Sequence, residues 1–211
     1  MSNARILVLA LIGFFLSIAS IFLLDQRVEP YALASSPAER ERWELITELG
    51  NATWMALLLI ATWMAGFIFH KISPENPFWL SMRKKSLIVL MAVAGTGAVT
   101  MVLKVIVGRA RPYMMEYGFF PFTFGSDFAS WPSGHATTAF AFAMAAGMAI
   151  PVLRWPLLAL AAVVGYSRMV IGVHYLGDII MGATIGALGA VLIYRWMAAR
   201  LGLEQAAPGE K

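Results

Sequence analysis

The chain contains no cysteine, which excludes a disulfide frame and a thiolate metal site. Charge is scarce: Asp, Glu, Lys and Arg together make up 13% of the 211 residues. Histidine occurs three times, as His70, His135 and His174. No carboxylate cluster accompanies His135, so magnesium is not implied, and no metal or other cofactor is expected. There is no internal repeat and no low-complexity tract. What fills the chain is apolar. Hydrophobic residues reach 60%, and the mean hydropathy is +0.73. These values lie outside the range of soluble domains and predict a polytopic membrane protein, all-α, whose single domain occupies residues 1–211. The net charge of +4 would fit nucleic acid in a soluble protein. Here the basic residues sit at the ends of apolar runs, so the membrane explains them and no nucleic-acid partner is expected.

Six apolar runs predict six transmembrane helices, at about 6–24, 49–70, 86–107, 134–152, 155–173 and 177–197. The first competes with a signal peptide, because Ala32-Leu33-Ala34 looks like a cleavage site. Its length, and the charges Asp25, Arg27 and Glu29 that follow it, favour an uncleaved helix. Ser36-Pro37-Ala38-Glu39 reads as a capping box with proline at the first helical position, opening a short interfacial helix over about Pro37–Glu48. Lys71–Lys85 reads as a basic loop, and Gly108–Trp131 as a loop rich in aromatics, glycine and proline. Gly95 and Gly97 in the third span, and Gly182, Gly186 and Gly189 in the sixth, are small-residue packing positions. Those of the sixth fit packing within one chain or between two, which leaves the oligomeric state open. The tail from Ala198 to Lys211 is polar and is expected to fray.

Six spans place both termini on one side. One face collects Arg5, Lys71, Arg83, Lys84, Lys85, Arg154, Arg195 and Arg200. The other carries the Asp25–Glu48 segment, with six acids against three arginines. Counting Lys and Arg puts the termini in the cytoplasm of a cell (inner) membrane protein. The 108–131 loop, the break at 168–177 and His135 then face the exterior or periplasm.

Three clusters on that outer face carry chemistry. Ser130-Trp131-Pro132-Ser133-Gly134-His135 precedes an apolar run, so Pro132 stops the loop, Ser133 caps a new helix and His135 enters its first turn. Amide groups at a helix start attract anions, although a capped helix with an interfacial histidine uses the same residues. Lys104 and Arg111 are seven apart; if the helix continues that far they share one stripe, about 10 Å apart along the axis. Two such cations can converge on one anion, and the planar fork of arginine suits phosphate oxygens. Snorkelling with an interfacial anchor is the competing account. Arg109 falls on another face and reads as a headgroup contact or a solvated charge. In the third cluster, Ser167-Arg168 is followed by His174 and Asp178. The last two are four apart and neighbours on a helix, where a carboxylate fixes the tautomer of an imidazole and supports its positive charge. A polar pair at a helix start is the alternative. His70, near the inner end of the second span, has no such company.

Taken together, Lys104-(six)-Arg111-Pro112, Pro132-Ser133-Gly134-His135 and Ser167-Arg168-(five)-His174-(three)-Asp178 resemble the three-part signature of the type-2 phosphatidic acid phosphatase superfamily. That superfamily also includes vanadium haloperoxidases and bacterial glucose-6-phosphatase-like enzymes. The resemblance covers about Leu103–Asp178 by motif and the whole chain by its six-span layout. It implies that His174 attacks phosphorus to form a phosphohistidine, that Asp178 orients His174, and that His135 protonates the leaving oxygen and then activates water. It implies that Lys104, Arg111 and Arg168 hold the phosphate oxygens, with hydrogen bonds from Ser133 and Gly134.

The expected activity is therefore a metal-independent membrane lipid phosphatase, acting on a phosphomonoester or diphosphate at the outer face. Undecaprenyl diphosphate, phosphatidylglycerophosphate and phosphatidate rank close together as substrates. Lipid A dephosphorylation and lipid-to-lipid phosphotransfer are alternatives, because the motif residues handle only the phosphate. Some of the loop aromatics Tyr113, Tyr117, Phe119, Phe120, Phe122, Phe124, Phe128 and Trp131 are expected to line the substrate entrance and others to anchor the membrane edge. A non-enzymatic transporter is the rival of another class. It would place polar groups near the midplane on broken helices, whereas here they gather at one end.

Overall fold

Capping chemistry sets most of the helix boundaries. The computed structural model describes residues 2–27 and 35–203. The helices are α1 (Asn3–Leu23), α2 (Pro37–Thr47), α3 (Ala52–Ile72), α4 (Pro77–Val107), α5 (Gly134–Ala149), α6 (Arg154–Val170) and α7 (Leu176–Arg200). Residues 25–27 are helical as well. Among the described residues no strand forms beyond an isolated bridge between Arg109 and Phe119. The Ala32-Leu33-Ala34 site and the end of the tail lie outside the described residues.

The capping box at α2 is formed: the Ser36 hydroxyl accepts from Glu39 N, and the Glu39 carboxylate accepts from Ser36 N at 2.9 Å. Asn51 and Asn76 start α3 and α4 by accepting from Thr53 N and Phe78 N. Because Asn76 caps a helix with Pro77 at its first position, α4 begins well before the expected residue 86. The basic loop expected over Lys71–Lys85 is thus mostly helix, with residues 73–76 as the connection.

Among the described residues, four segments are long and apolar enough to cross a membrane: α1, the stretch Pro37–Ile72 that includes α3, α4 and α7. With 16 and 17 residues, α5 and α6 are shorter than the roughly 20 residues of an ordinary span. α5 is central, whereas α6 lies at the side of the bundle with Trp155, Val163 and Tyr166 exposed. α5 packs against α4, α6 and α7, and α1 lies along α7.

Small residues bring these backbones together. The interior face of α5 is alanine, including Ala136, Ala139, Ala141, Ala143 and Ala145. A Cβ at Gly182 would stand 2.5 Å from Ser133 O, and one at Gly186 would overlap Thr137 O. A Cβ at Gly189 would press on Thr96. The small-residue stripe of α7 is therefore used inside the chain. Gly95 meets the tip of Ile193, but Gly97 has no neighbour, contrary to its expected packing role.

The polarity pattern is that of a lipid-facing bundle. Leu7, Phe15, Phe22, Leu57 and Met101 are exposed, while Ser17, Ser20, Thr96, Thr100 and Thr137 are buried. Thr100 and Thr137 hydroxyls bond each other at 3.1 Å between α4 and α5. Some of the basic residues lie at the end away from His135. There Lys84 reaches Leu201 O and Arg195 reaches Asn3 Oδ1.

Candidate active site

The site begins where α4 stops. Val107 is followed by Gly108 with φ +59, and a Cβ there would overlap the Phe120 carbonyl. The helix does not continue to Arg111, so the expected Lys104–Arg111 stripe is absent. The chain instead turns away at the left-handed Gly108, and the segment that follows is held by Phe120 N to Gly108 O, Ala110 N to Gly118 O, Arg111 N to Asp127 O and Ser130 N to Arg109 O.

Lys104 nevertheless reaches the site. It is buried at the end of α4, its Nζ donates to Ala129 O, and its Cε stands 3.8 Å from where a Gly134 Cβ would be. Arg111 comes from the loop and donates from Nε to Ser126 O at 2.8 Å. The charges of Arg111, Asp178 and Arg168 all act on Lys104. Those of Arg168, Glu48, Arg111 and Lys104 act on His135. The three cations and both outer histidines thus share one electrostatic neighbourhood.

Ser133 occupies the N-cap position of α5, and His135 lies in the first turn, as expected. The expected side-chain cap is not made. The Ser133 backbone N donates to Asp178 O at 3.0 Å instead, which ties the start of α5 to the first turn of α7. The Ser133 hydroxyl is buried and, among the described residues, has no hydrogen-bond partner. The same is true of Arg168 Nε. A buried donor without a partner calls for an explanation, and His70 Nδ1 and Arg154 Nε, away from these residues, are in the same state. Arg168 is held at its other end by Nη1, which donates to Thr47 Oγ1 at 3.0 Å.

His174 lies in the connection between α6 and α7, 3% exposed. Its Nδ1 faces Asp178 Oδ2 at 3.4 Å, longer than a good hydrogen bond. Burial pushes the imidazole well below its ordinary value of 6.5; Asp178 opposes that shift, and Lys104 and Arg111 add to it. A neutral ring with Nδ1–H turned to the carboxylate leaves the Nε2 lone pair for attack on an electrophile.

Asp178 is wholly buried and saturated with donors. Oδ2 accepts from Ser130 Oγ at 2.5 Å and Tyr175 N at 2.9 Å. Oδ1 accepts from Arg109 Nη1 at 2.5 Å. Arg109 is 1% exposed, so it is neither a headgroup contact nor a solvated charge. Its Nη2 donates to Asp25 Oδ2 at 2.9 Å, and Asp25 is fully buried rather than one of the surface acids of the outer segment. Tyr175 covers the guanidinium at 4.1 Å.

The sequence reads Arg109 and Asp25 as exposed charges, and it gives no separate role to Ser130 within the Ser130–His135 stretch or to Thr47 in the surface helix. The signals available were an acid directly after the first apolar run and a third cation between Lys104 and Arg111. Two loop aromatics are structural: Trp131 donates to Ser17 Oγ, and the Tyr117 hydroxyl donates to Ile21 O. Phe122 and Phe124 are exposed.

This geometry has relatives. The sequence profile described as PAP2 superfamily matches residues 85–201. The chain is 32% identical to a lipid A 1-phosphatase of Rhizobium johnstonii over 183 residues, covering 83% of this chain and 74% of that one. It is 32% identical to a lipid A 1-phosphatase of Rhizobium etli over 181 residues, covering 82% and 77%. Its fold is similar to the crystal structure of a transmembrane PAP2-type phosphatidylglycerolphosphate phosphatase from Bacillus subtilis. The TM-score is 0.67 at 22% identity, covering 96% of this chain and 98% of that one. Two histidines, a carboxylate and three cations gathered at one end of an apolar bundle agree with these likenesses: the chain belongs to the PAP2 superfamily and is a membrane lipid phosphatase.

Proposed function

We propose that this protein removes the 1-phosphate of lipid A, by way of a phosphohistidine on His174. The substrate rests on the two lipid A 1-phosphatases, which resemble this chain over more than four fifths of its length. The mechanism rests on one observation above others, the buried His174–Asp178 contact beside Lys104.

His174 Nε2 attacks phosphorus, and the P–O bond to the sugar breaks. His135 gives its proton to the departing oxygen, so the sugar leaves as a neutral alcohol. His135, now neutral, takes a proton from water; the resulting hydroxide attacks the phosphohistidine, and His174 and inorganic phosphate are released. Asp178 holds the His174 tautomer throughout. Lys104, Arg111 and Arg168 neutralise the charge on the phosphoryl oxygens, with the Ser133 hydroxyl and Gly134 N–H as further donors.

The chain crosses the inner membrane six times in this reading, with α5 as a short central span and α6 as a short outer one whose exposed apolar residues face lipid. Both termini are cytoplasmic, and the site opens toward the periplasm. The test is phosphate release from purified protein in EDTA, across lipid A, phosphatidylglycerophosphate, undecaprenyl diphosphate and phosphatidate, with His174→Ala as control. Release from lipid A that disappears in the variant is the expected result. Preference for a glycerophospholipid or for the diphosphate would replace the substrate while keeping the chemistry.

A further inference from the structure

The catalytic carboxylate is itself held in place by a second pair of charges, and that pair begins in the first helix. Asp178 has two oxygens with different surroundings. Oδ2 faces His174 and takes the Ser130 hydroxyl and Tyr175 amide. Oδ1 takes Arg109 Nη1. The other Arg109 terminal nitrogen is bound to Asp25 and also donates to the Tyr117 hydroxyl at 3.1 Å. Asp25 is fixed in turn, because its Oδ1 accepts from Ser20 Oγ at 2.7 Å and Gly177 N at 3.1 Å. A Cβ at Gly177 would stand 2.8 Å from Asp25 Oδ2, so a glycine is needed for this approach. Asp25 lies outside residues 85–201, the part matched by the family profile.

We propose that Arg109 and Asp25 are positioning residues for the catalytic dyad. Arg109 fixes the Asp178 carboxylate where it orients His174, and Asp25 fixes Arg109. The inference rests on the phosphohistidine reading above. Its physical basis is charge balance in a dry site. Two buried carboxylates stand against a single guanidinium, with Lys104 and His174 on the far side of Asp178 and Tyr117 beside Arg109. Without Arg109, Asp178 and Asp25 are uncompensated like charges in a buried site, which disfavours the ionised and aligned Asp178 carboxylate. A protonated or rotated Asp178 no longer holds the Nδ1–H tautomer of His174. A purely structural ion pair has no such consequence, since apolar packing can replace it.

The test uses the full chain in detergent micelles. Arg109→Gln should lower kcat by about 10–100-fold, the range for groups that orient a reactive side chain, with KM little changed. The acid limb of its pH–kcat profile should move up by about one unit or more. Arg109→Lys should recover part of both. Asp25→Asn should cause a smaller loss, and should add almost nothing in the Arg109→Gln background if it acts through Arg109. The second readout needs no turnover. In protein labelled with nitrogen-15 at histidine, His174 should be the Nδ1–H tautomer in the wild type and a mixture of tautomers in Arg109→Gln. Should Arg109→Gln fail to fold, Asp25→Asn carries both measurements. A reduced active fraction with unchanged pH profile and unchanged tautomer overturns the inference. A wild type that releases no phosphate from any lipid overturns the functional reading instead, and the tautomer measurement still decides this one.

Discussion

The Arg168 guanidinium donates to the Thr47 hydroxyl at 3.0 Å, joining the last turn of α6 to the last residue of α2. The charges of Glu44 and Glu48, from the same surface segment, act on Arg168. The short helix α2 therefore anchors Arg168, and in the proposed mechanism it aims a phosphate ligand. Thr47→Val keeps the side-chain volume and deletes the hydroxyl. We expect kcat/KM to fall roughly tenfold, equivalent to about 1.4 kcal/mol, with little change in thermal stability. An unchanged kcat/KM would mean that Arg168 is held by its other contacts.

The burial of His174 predicts the pH dependence of the reaction. Desolvation keeps the ring neutral, with Lys104 and Arg111 adding to the effect and Asp178 opposing it. The nucleophile stays unprotonated into acid, so the acid limb of kcat/KM assigned to it should lie below the ordinary value of 6.5. The same shift lowers stability in acid. The unfolded chain takes up a proton near 6.5 and the folded chain does not, so His174 stabilises the fold fully above that value and less as the pH falls. A limb at or above pH 7 that vanishes in no other histidine variant would contradict this.

Much of the site was legible because its chemistry depends on residue types that an apolar chain rarely carries. Lys104, His135, Arg168, His174 and Asp178 stand out as polar residues at the ends of apolar runs, and the structure gathers them at one end of the bundle. Arg109 and Asp25 were misread because sequence position suggested exposure. A charge in a polar loop is usually solvated, and only the fold shows these two closing on each other over a distance of 84 residues. The helix stripe joining Lys104 and Arg111 failed for a local reason, the left-handed Gly108 under the Phe120 carbonyl. Ser133 sits where a cap belongs, yet its hydroxyl was not needed for one. Its N–H is turned to the Asp178 carbonyl, a contact that no helix-start rule anticipates.

The contact between α5 and α7 should be the most sensitive in the bundle. A Cβ at Gly186 overlaps the Thr137 carbonyl and comes within 3.0 Å of Ala141 N, and both are backbone atoms that cannot turn aside. Gly186→Val should cost about 1–3 kcal/mol by overpacking. Because α5 carries Ser133 and His135, activity should fall along with stability. Gly97→Ala, which meets nothing within 4 Å, should leave both unchanged. Measuring thermal unfolding of the two variants side by side separates packing from any general intolerance to larger residues. Similar losses in both would refute the assigned interface.

In the proposed mechanism His135 serves the leaving group. It stands in the first turn of α5, half-buried, beside the α2 end of the site: its Cβ and carbonyl oxygen lie 3.3 and 3.2 Å from where a Gly50 Cβ would be. Thr138, one turn on, bonds Gly50 O at 2.5 Å and fixes the helix against that segment. His135 is therefore held against the Gly50 segment, where the charges of Arg168 and Glu48 act on it. An acid matters in proportion to how badly the departing oxygen needs a proton. His135→Ala should slow hydrolysis of an alkyl phosphate by about 10²–10⁴-fold, and hydrolysis of a nitrophenyl phosphate much less, because that anion leaves unaided. In the same variant, with the good leaving group, phosphohistidine should accumulate, since the water step also loses its base. Equal losses with both substrates and no accumulation would remove His135 from proton transfer and leave it a binding role.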